Sequence, residues 1–223
     1  MFKAVIFDWD GTLANTKVAI LISFHKALEL ISYQVPDEYI ERRIGIGAAD
    51  TFRGILKSAG MSVDEEIVRK LVELKSLAQI QLSNQVHLFF GAKELLEVLQ
   101  GKVKLGLASM NNRSVIMDLL KRNNIIDCFD AVLTIESVSY SKPDPEIFLK
   151  VAHELGVVPS DCVVLEDSLF GVKAAKTAGM GCVAVTTGVY SKQELYVERP
   201  DLIVESLADP RILRFLLNNS GLW

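Results

Sequence analysis

Cysteine is scarce and scattered in this 223-residue chain: Cys128, Cys162 and Cys182 are an odd number, far apart, with no CxxC pair. The three histidines beside them show no zinc-ligand spacing, so a disulfide framework and a zinc site are both excluded. The cysteines read as small buried hydrophobes of a reducing compartment. Long apolar runs are missing too. Ala4 to Phe7 stops at Asp8, and Val18 to Phe24 is broken by His25-Lys26, so neither has the length of a signal peptide or a membrane span. Charge of one sign does not gather: 24 Lys and Arg stand against 28 Asp and Glu, a net of -4 without long blocks, which leaves no electrostatic footprint for nucleic acid. Repeats, low-complexity tracts and Pro/Gly/Ser linkers are absent as well. These absences predict a soluble cytoplasmic protein, monomeric or a weak homodimer, with neither nucleic acid nor membrane as partner. The Asn112-Arg113-Ser114 and Asn218-Asn219-Ser220 sequons are then chance matches.

What is present has the composition of a globular protein with a substantial core, half of it hydrophobic. Short β-branched runs at Lys3–Phe7, Val103–Ala108, Ala131–Ile135, Cys162–Leu165 and Cys182–Val185 predict strands. Helical periodicity fills most of the intervals, at Ala92–Leu99, Ser114–Asn123, Pro145–Leu155 and Leu169–Ala178. That alternation predicts an α/β fold, a Rossmann-like parallel sheet with helices on both faces. From about Thr16 to His87 the rhythm breaks: there is no convincing strand, and amphipathic helices are predicted near Thr16–Ile31, Asp37–Arg43, Asp50–Ser58 and Asp64–Leu82. The expected organisation is a catalytic core of residues 1–14 and 88–223, with an all-helical cap of residues 15–87 inserted after the first strand. Hinges are expected near Ala14–Asn15 and Asn84–Gly91.

In an open parallel sheet the carboxyl ends of the strands share one edge, where ligand sites form. The first strand empties into Asp8-Trp9-Asp10-Gly11-Thr12-Leu13, the second into Ser109-Met110-Asn111-Asn112 and the fourth into Glu166-Asp167-Ser168; Ser141-Lys142-Pro143-Asp144-Pro145 follows the third. Asp8 and Asp10, two apart, can turn both carboxylates to one side while Trp9 faces away. With Glu166-Asp167 arriving from a neighbouring strand, so many like charges call for a hard divalent cation, and Mg²⁺ fits a site of carboxylates, waters and a substrate phosphate. Ser109, with the N–H groups after it, can open a helix N-terminus as a phosphate site, and Lys142 can neutralise the phosphate as a point charge. Together these parts describe phosphoryl transfer.

The four clusters, in this order, resemble the haloacid dehalogenase superfamily, in particular its phosphoglycolate phosphatase and β-phosphoglucomutase-like members with a small helical cap. DWDGTL resembles the family's DxDGT signature, and LASMNN, SKPDPEIF and VVLEDS resemble its serine, lysine and acidic-pair motifs. The resemblance implies a phosphatase acting on a small phosphorylated metabolite through an aspartyl-phosphate. It makes Asp8 the nucleophile and Asp10 the general acid and base. It implies Mg²⁺ held by Asp8, the backbone carbonyl of Asp10 and Asp167, with Glu166 in the metal set through water, and it puts Thr12, Ser109, Asn111 and Lys142 around the phosphate. Two departures bear on the alternative, a phosphomutase: where that branch typically has a cap-helix histidine and a cap-loop arginine, this chain aligns Ile20 and Ala48. Arg53, one helical turn on, is a possible substitute for the arginine. A dehalogenase and a non-catalytic phosphate-binding protein are weaker readings, because Asp8, Asp10, Lys142 and Asp167 are all present.

Overall fold

Four apolar residues, Ala4–Phe7, form β1 and are fully buried on both faces. This suits the centre of a parallel sheet, where no face meets water. The chain continues through a two-residue strand β2 (Ala14–Asn15) into α1 (Lys17–Leu28), α2 (Asp37–Glu41), α3 (Ala48–Ser58) and α4 (Glu65–Gln81), and returns through β3 (His87–Leu88). There follow α5 (Ala92–Leu99), β4 (Lys104–Ala108), α6 (Arg113–Arg122), β5 (Ala131–Leu133), α7 (Glu146–Glu154), β6 (Cys162–Glu166), α8 (Leu169–Thr177), β7 (Gly181–Val185), α9 (Lys192–Val197), β8 (Leu202–Val204) and α10 (Pro210–Leu217). The computed structural model describes residues 1–217, so the Asn218-Asn219-Ser220 sequon lies outside the described residues. Among those residues no helix is long and apolar enough to cross a membrane.

The six main strands run parallel in the order β5-β4-β1-β6-β7-β8. After β1 the chain builds outward through β4 and β5, then crosses back to add β6, β7 and β8 on the other side, which makes the β1/β6 boundary the switch point where such sheets bind ligands. The period of two divides the core into two layers. Val5 and Phe7 pack with α5, α6 and α10, while Ala4 and Ile6 pack with α7 and α8. The four helices between β2 and β3 close a third apolar cluster of their own, centred on Phe24, Leu28, Phe52, Ile55 and Leu71.

Several elements differ from expectation. The strand expected over Ala131–Ile135 stops at Leu133, because Thr134 caps a short 3-10 turn over Ile135–Ser137. The first inserted helix ends at Leu28 and tightens into a 3-10 turn, Glu29–Ile31, that leaves through Ser32 at φ 50°. The third inserted helix starts two residues early, at Ala48. β8 was not anticipated, since three residues at the sheet edge are too few to show a period. β2 and β3 pair antiparallel, Ala14 with Leu88 and Asn15 with His87, so the two connections to the insert run side by side.

Candidate active site

The main-chain ladder of β1 extends one residue beyond the strand, with Asp8 N donating to Leu165 O at 3.0 Å, and this delivers the Asp8 carboxylate beside the end of β6. The turn that follows is closed by Ala14 N to Trp9 O at 3.1 Å and Gly11 N to Ala14 O at 3.0 Å. Gly11 sits at φ 90°, and a Cβ there would overlap the Asp167 carboxylate. Trp9 is fully buried in the layer under α5, facing away from the site as its spacing predicts.

Asp8, Glu166 and Asp167 bring ligand-capable oxygens within 4.8 Å of one another, all buried. Among the described residues the cation touching this cluster is Lys142, whose Nζ donates to Asp8 Oδ1 at 2.7 Å, to Glu166 Oε1 at 2.6 Å and to Ala108 O at 3.2 Å. Burial works against the charge on Lys142, but Asp8 and Glu166 more than offset it and hold the amine above its usual range. The acids move up as well. Burial raises Asp8 well above an ordinary carboxyl, Lys142 pulling the other way, and burial together with the charges of Glu166 and Asp8 does the same to Asp167. One ammonium against three buried carboxyls leaves unmatched negative charge, so this all-oxygen donor set fits a hard divalent ion.

Glu166 has little to offer such an ion directly. Its Oε1 is taken by Lys142, and its Oε2 accepts from Asp167 N at 3.0 Å, Ser168 N at 2.9 Å and Ser168 Oγ at 2.9 Å. Thr12, expected at the phosphate, donates its hydroxyl to Asp167 Oδ1 at 2.9 Å. Ser109 is fully buried at the end of β4, but it is not a helix cap; Asn112 stands at the N-cap of α6, and Ser109 Oγ accepts from Asn111 N at 3.1 Å. Asn111 Nδ2 donates to Asp10 Oδ2 at 3.2 Å. Burial raises the Asp10 carboxyl above its usual range, opposed by Lys75, Thr16 and Asn111.

Lys75 was not anticipated. It stands on the buried face of α4 with Val68, Leu71 and Gln79, and donates to Gln79 Oε1 and, at 3.0 Å, to Asn111 Oδ1. Burial pushes its pKa down to about 8. A lysine on the apolar stripe of an amphipathic helix was the available signal. The loop after β7 was missed too: Thr187 Oγ1 donates to Gly11 O at 2.6 Å, and a Cβ on Gly188 would overlap Asp167. Arg53 is engaged elsewhere, bidentate to Glu65 at 2.9 and 2.7 Å and bound to Asp50 at 2.8 Å on the exposed side of α3.

The insert lies against the core over this edge. Ser141 donates to Asp50, Ser76 to Asn112 and Tyr190 OH to Arg42 O, and Arg42 pairs with Glu194. Between insert and core a cavity of about 30 Å³ remains, bounded by Asp8, Asp10, Lys75 and Asn111.

The sequence profile of a family described as "Haloacid dehalogenase-like hydrolase" matches residues 5–185, which takes in all of β1 but Ala4, the insert and every later strand of the sheet except β8. This chain belongs to that family. The chain is 33% identical over 192 residues to a β-phosphoglucomutase of Bacillus subtilis, covering 83% of this chain and 84% of that one. It is 31% identical over 180 residues to a phosphorylated carbohydrates phosphatase of Thermotoga maritima, covering 80% and 82%. A crystal structure of a hydrolase from Pseudomonas syringae superposes with a TM-score of 0.88 at 27% identity, over 98% of this haloacid dehalogenase-like chain and 100% of that one. Such relatives put it among the family's phosphatases and phosphomutases, as a phosphoric monoester hydrolase.

Proposed function

We propose that the chain hydrolyses a small phosphorylated metabolite through an aspartyl-phosphate on Asp8, with Mg²⁺ as cofactor and residues 15–87 as a cap that closes over the substrate. The observation that carries this reading is the unequal setting of two adjacent acids. Asp8 contacts an ammonium at 2.7 Å, whereas Asp10 is buried without an ammonium in hydrogen-bond reach and accepts from the neutral amide of Asn111 at 3.2 Å. This contrast supports Asp8 as the nucleophile and Asp10 as the proton carrier.

Asp8 and Asp167 with their side chains, and Asp10 with its carbonyl, would hold the metal. Bound Mg²⁺ supplies positive charge opposite the transferring phosphate. The Asp8 carboxylate attacks phosphorus as the bond to the leaving oxygen breaks, and protonated Asp10 gives that oxygen its proton. Asp10, now ionised, then takes a proton from the water that attacks the aspartyl-phosphate, which frees phosphate and restores Asp8. Lys142, bonded to Asp8, and Lys75, bonded to Asn111, would balance charge on the phosphate. Closure of the cap excludes bulk water.

Water is the proposed acceptor in place of a second sugar hydroxyl. Ile20 and Ala48 both line the cavity and Arg53 is held away from it, so the two positions where the mutase branch has its histidine and arginine are apolar here; the cations of the insert that line the cavity are Lys75 and Arg43, at other positions. The test supplies β-glucose 1-phosphate, a trace of the bisphosphate activator and Mg²⁺, alongside a generic aryl phosphate. Phosphate release that requires Mg²⁺ and is lost in Asp8→Asn is expected. Formation of glucose 6-phosphate much faster than phosphate release would establish the mutase.

A further inference from the structure

The surface that the insert turns toward Asp8 and Asp10 is apolar. Ile20 and Phe24 of α1, Ile40 of α2 and the loop residues Ile44 and Ile46 line it, and Met110 closes the core side. Four of these, Ile20, Phe24, Ile40 and Ile44, also pack into the insert's own cluster with Phe52 and Ile55, which fixes them in place. Polar lining besides the two acids comes from Lys75, Asn111 and Arg43. Lys75 and Asn111 are bonded to each other, and Arg43 donates to Tyr39 O at 3.0 Å with its guanidinium 3.6 Å from the Tyr39 ring centre.

A leaving group enclosed by this wall exchanges water for methyl and methylene groups. Each hydroxyl it carries then needs a protein partner, because a buried hydroxyl without one is strongly disfavoured over its hydrated state. The wall offers partners at two places, Lys75 with Asn111 and the Arg43 guanidinium, of which only Nη1 is bonded, to Tyr39 O, and none along the isoleucines. We propose that the site selects a phosphomonoester whose leaving group is a compact apolar body with two polar groups at most, an alkyl or cycloalkyl phosphate in chemical class, and discriminates against aldose and ketose phosphates. This deepens the phosphatase reading and rests on it.

The test compares two substrates of like size with the same kind of primary-alkoxide leaving group, cyclohexylmethyl phosphate and glucose 6-phosphate, which differ mainly in ring hydroxyls. A hydrophobic pocket turns away one added hydroxyl by on the order of a hundredfold. With Mg²⁺ and the full chain, kcat/KM is expected to favour cyclohexylmethyl phosphate by at least about tenfold. Equal values, or a preference for the sugar, overturn the proposal while leaving the phosphatase reading intact. Failure to release phosphate from either substrate and from an aryl phosphate removes the phosphatase reading, and this proposal with it. An Ile20→Asn variant, shown by its melting curve to be folded, gives the wall an amide; its preference for the apolar substrate is expected to shrink by about threefold or more. An unchanged ratio in that folded variant overturns the role given to the wall.

Discussion

At Lys142 a single ammonium reaches both Asp8 and Glu166, and the bonding of Glu166 makes it an anchor for that ammonium. Asp167 differs, since it is held by the Thr12 hydroxyl and closely packed against Gly11 and Gly188. The two neighbours should therefore separate by experiment. Asp167→Asn is expected to weaken Mg²⁺ binding, read by calorimetry, by more than about tenfold, whereas Glu166→Gln lowers kcat with a smaller change in metal affinity. Comparable losses of affinity in both would return Glu166 to the metal. Asp10 makes its own prediction. If it protonates the leaving oxygen, Asp10→Asn should slow hydrolysis of an alkyl phosphate by about 10²–10⁴ and that of p-nitrophenyl phosphate far less, because nitrophenolate leaves without a proton. Equal slowing of the two would remove the acid role. The proximity of Asp8 to Asp10 was legible at this scale because both lie in one short stretch. The bond from Thr12 to Asp167 was not, because 155 residues separate them.

Helix α4 carries its information in one misfit. Val68, Leu71 and Gln79 define the face it buries, and Lys75 lies on that face, with neutral partners in hydrogen-bond reach. Its pKa falls from 10.5 to about 8 because burial disfavours the ammonium. A folded-state value below the unfolded one means that the unfolded chain binds more protons between those limits. Stability therefore rises with pH across that window, and the penalty is full below about 8. The shift corresponds to a penalty on the order of 3 kcal/mol at neutral pH. Lys75→Met is thus expected to raise the melting temperature by several degrees at pH 7, by an amount that narrows toward pH 10, while reducing turnover. A melting temperature that falls, or a gain independent of pH, would show that the ammonium is not penalised. The amphipathic pattern that located α4 was plain in the sequence. Nothing local showed that its buried face would meet Asn111 rather than another helix.

Over the whole molecule, the insert meets the core around a cavity of about 30 Å³, room for water and not for a phosphomonoester, so the proposed activity requires the insert to open. Such opening would break Ser141–Asp50, Ser76–Asn112 and the Arg42 contacts with Glu194 and Tyr190. Arg42 and Glu194 are both about two-fifths exposed, with side-chain accessibilities of 38% and 38%, so this link is screened and small. Arg42→Met is expected to raise KM by no more than about threefold, with the difference from the parent disappearing at high salt. A tenfold effect that persists in salt would make the contact part of the binding site. The Glu194 carboxyl is held down to about 2, chiefly by its bond from Arg42. Its contribution is full above the ordinary value of 4.5 and is lost as pH falls toward 2, so the contact stays charged at neutral pH.

The sequence by itself determined the parallel sheet, the helical insert and the four polar clusters, because each is written in a contiguous stretch: apolar runs for strands buried on both faces, a 3.6-residue period for helices, acids at strand ends. Only the tertiary structure decided which atoms those clusters share. It gave both oxygens of Glu166 to Lys142 and to the backbone and hydroxyl at Asp167-Ser168, gave the Thr12 hydroxyl to Asp167, and brought Lys75 of the insert to Asn111 of the core. It also laid Gly188 against Asp167, a closeness that allows no side chain there. These pairings are set by strand order and by the docking of two apolar layers. Both are long-range packing outcomes, and a local pattern of residues leaves them open until the chain has folded.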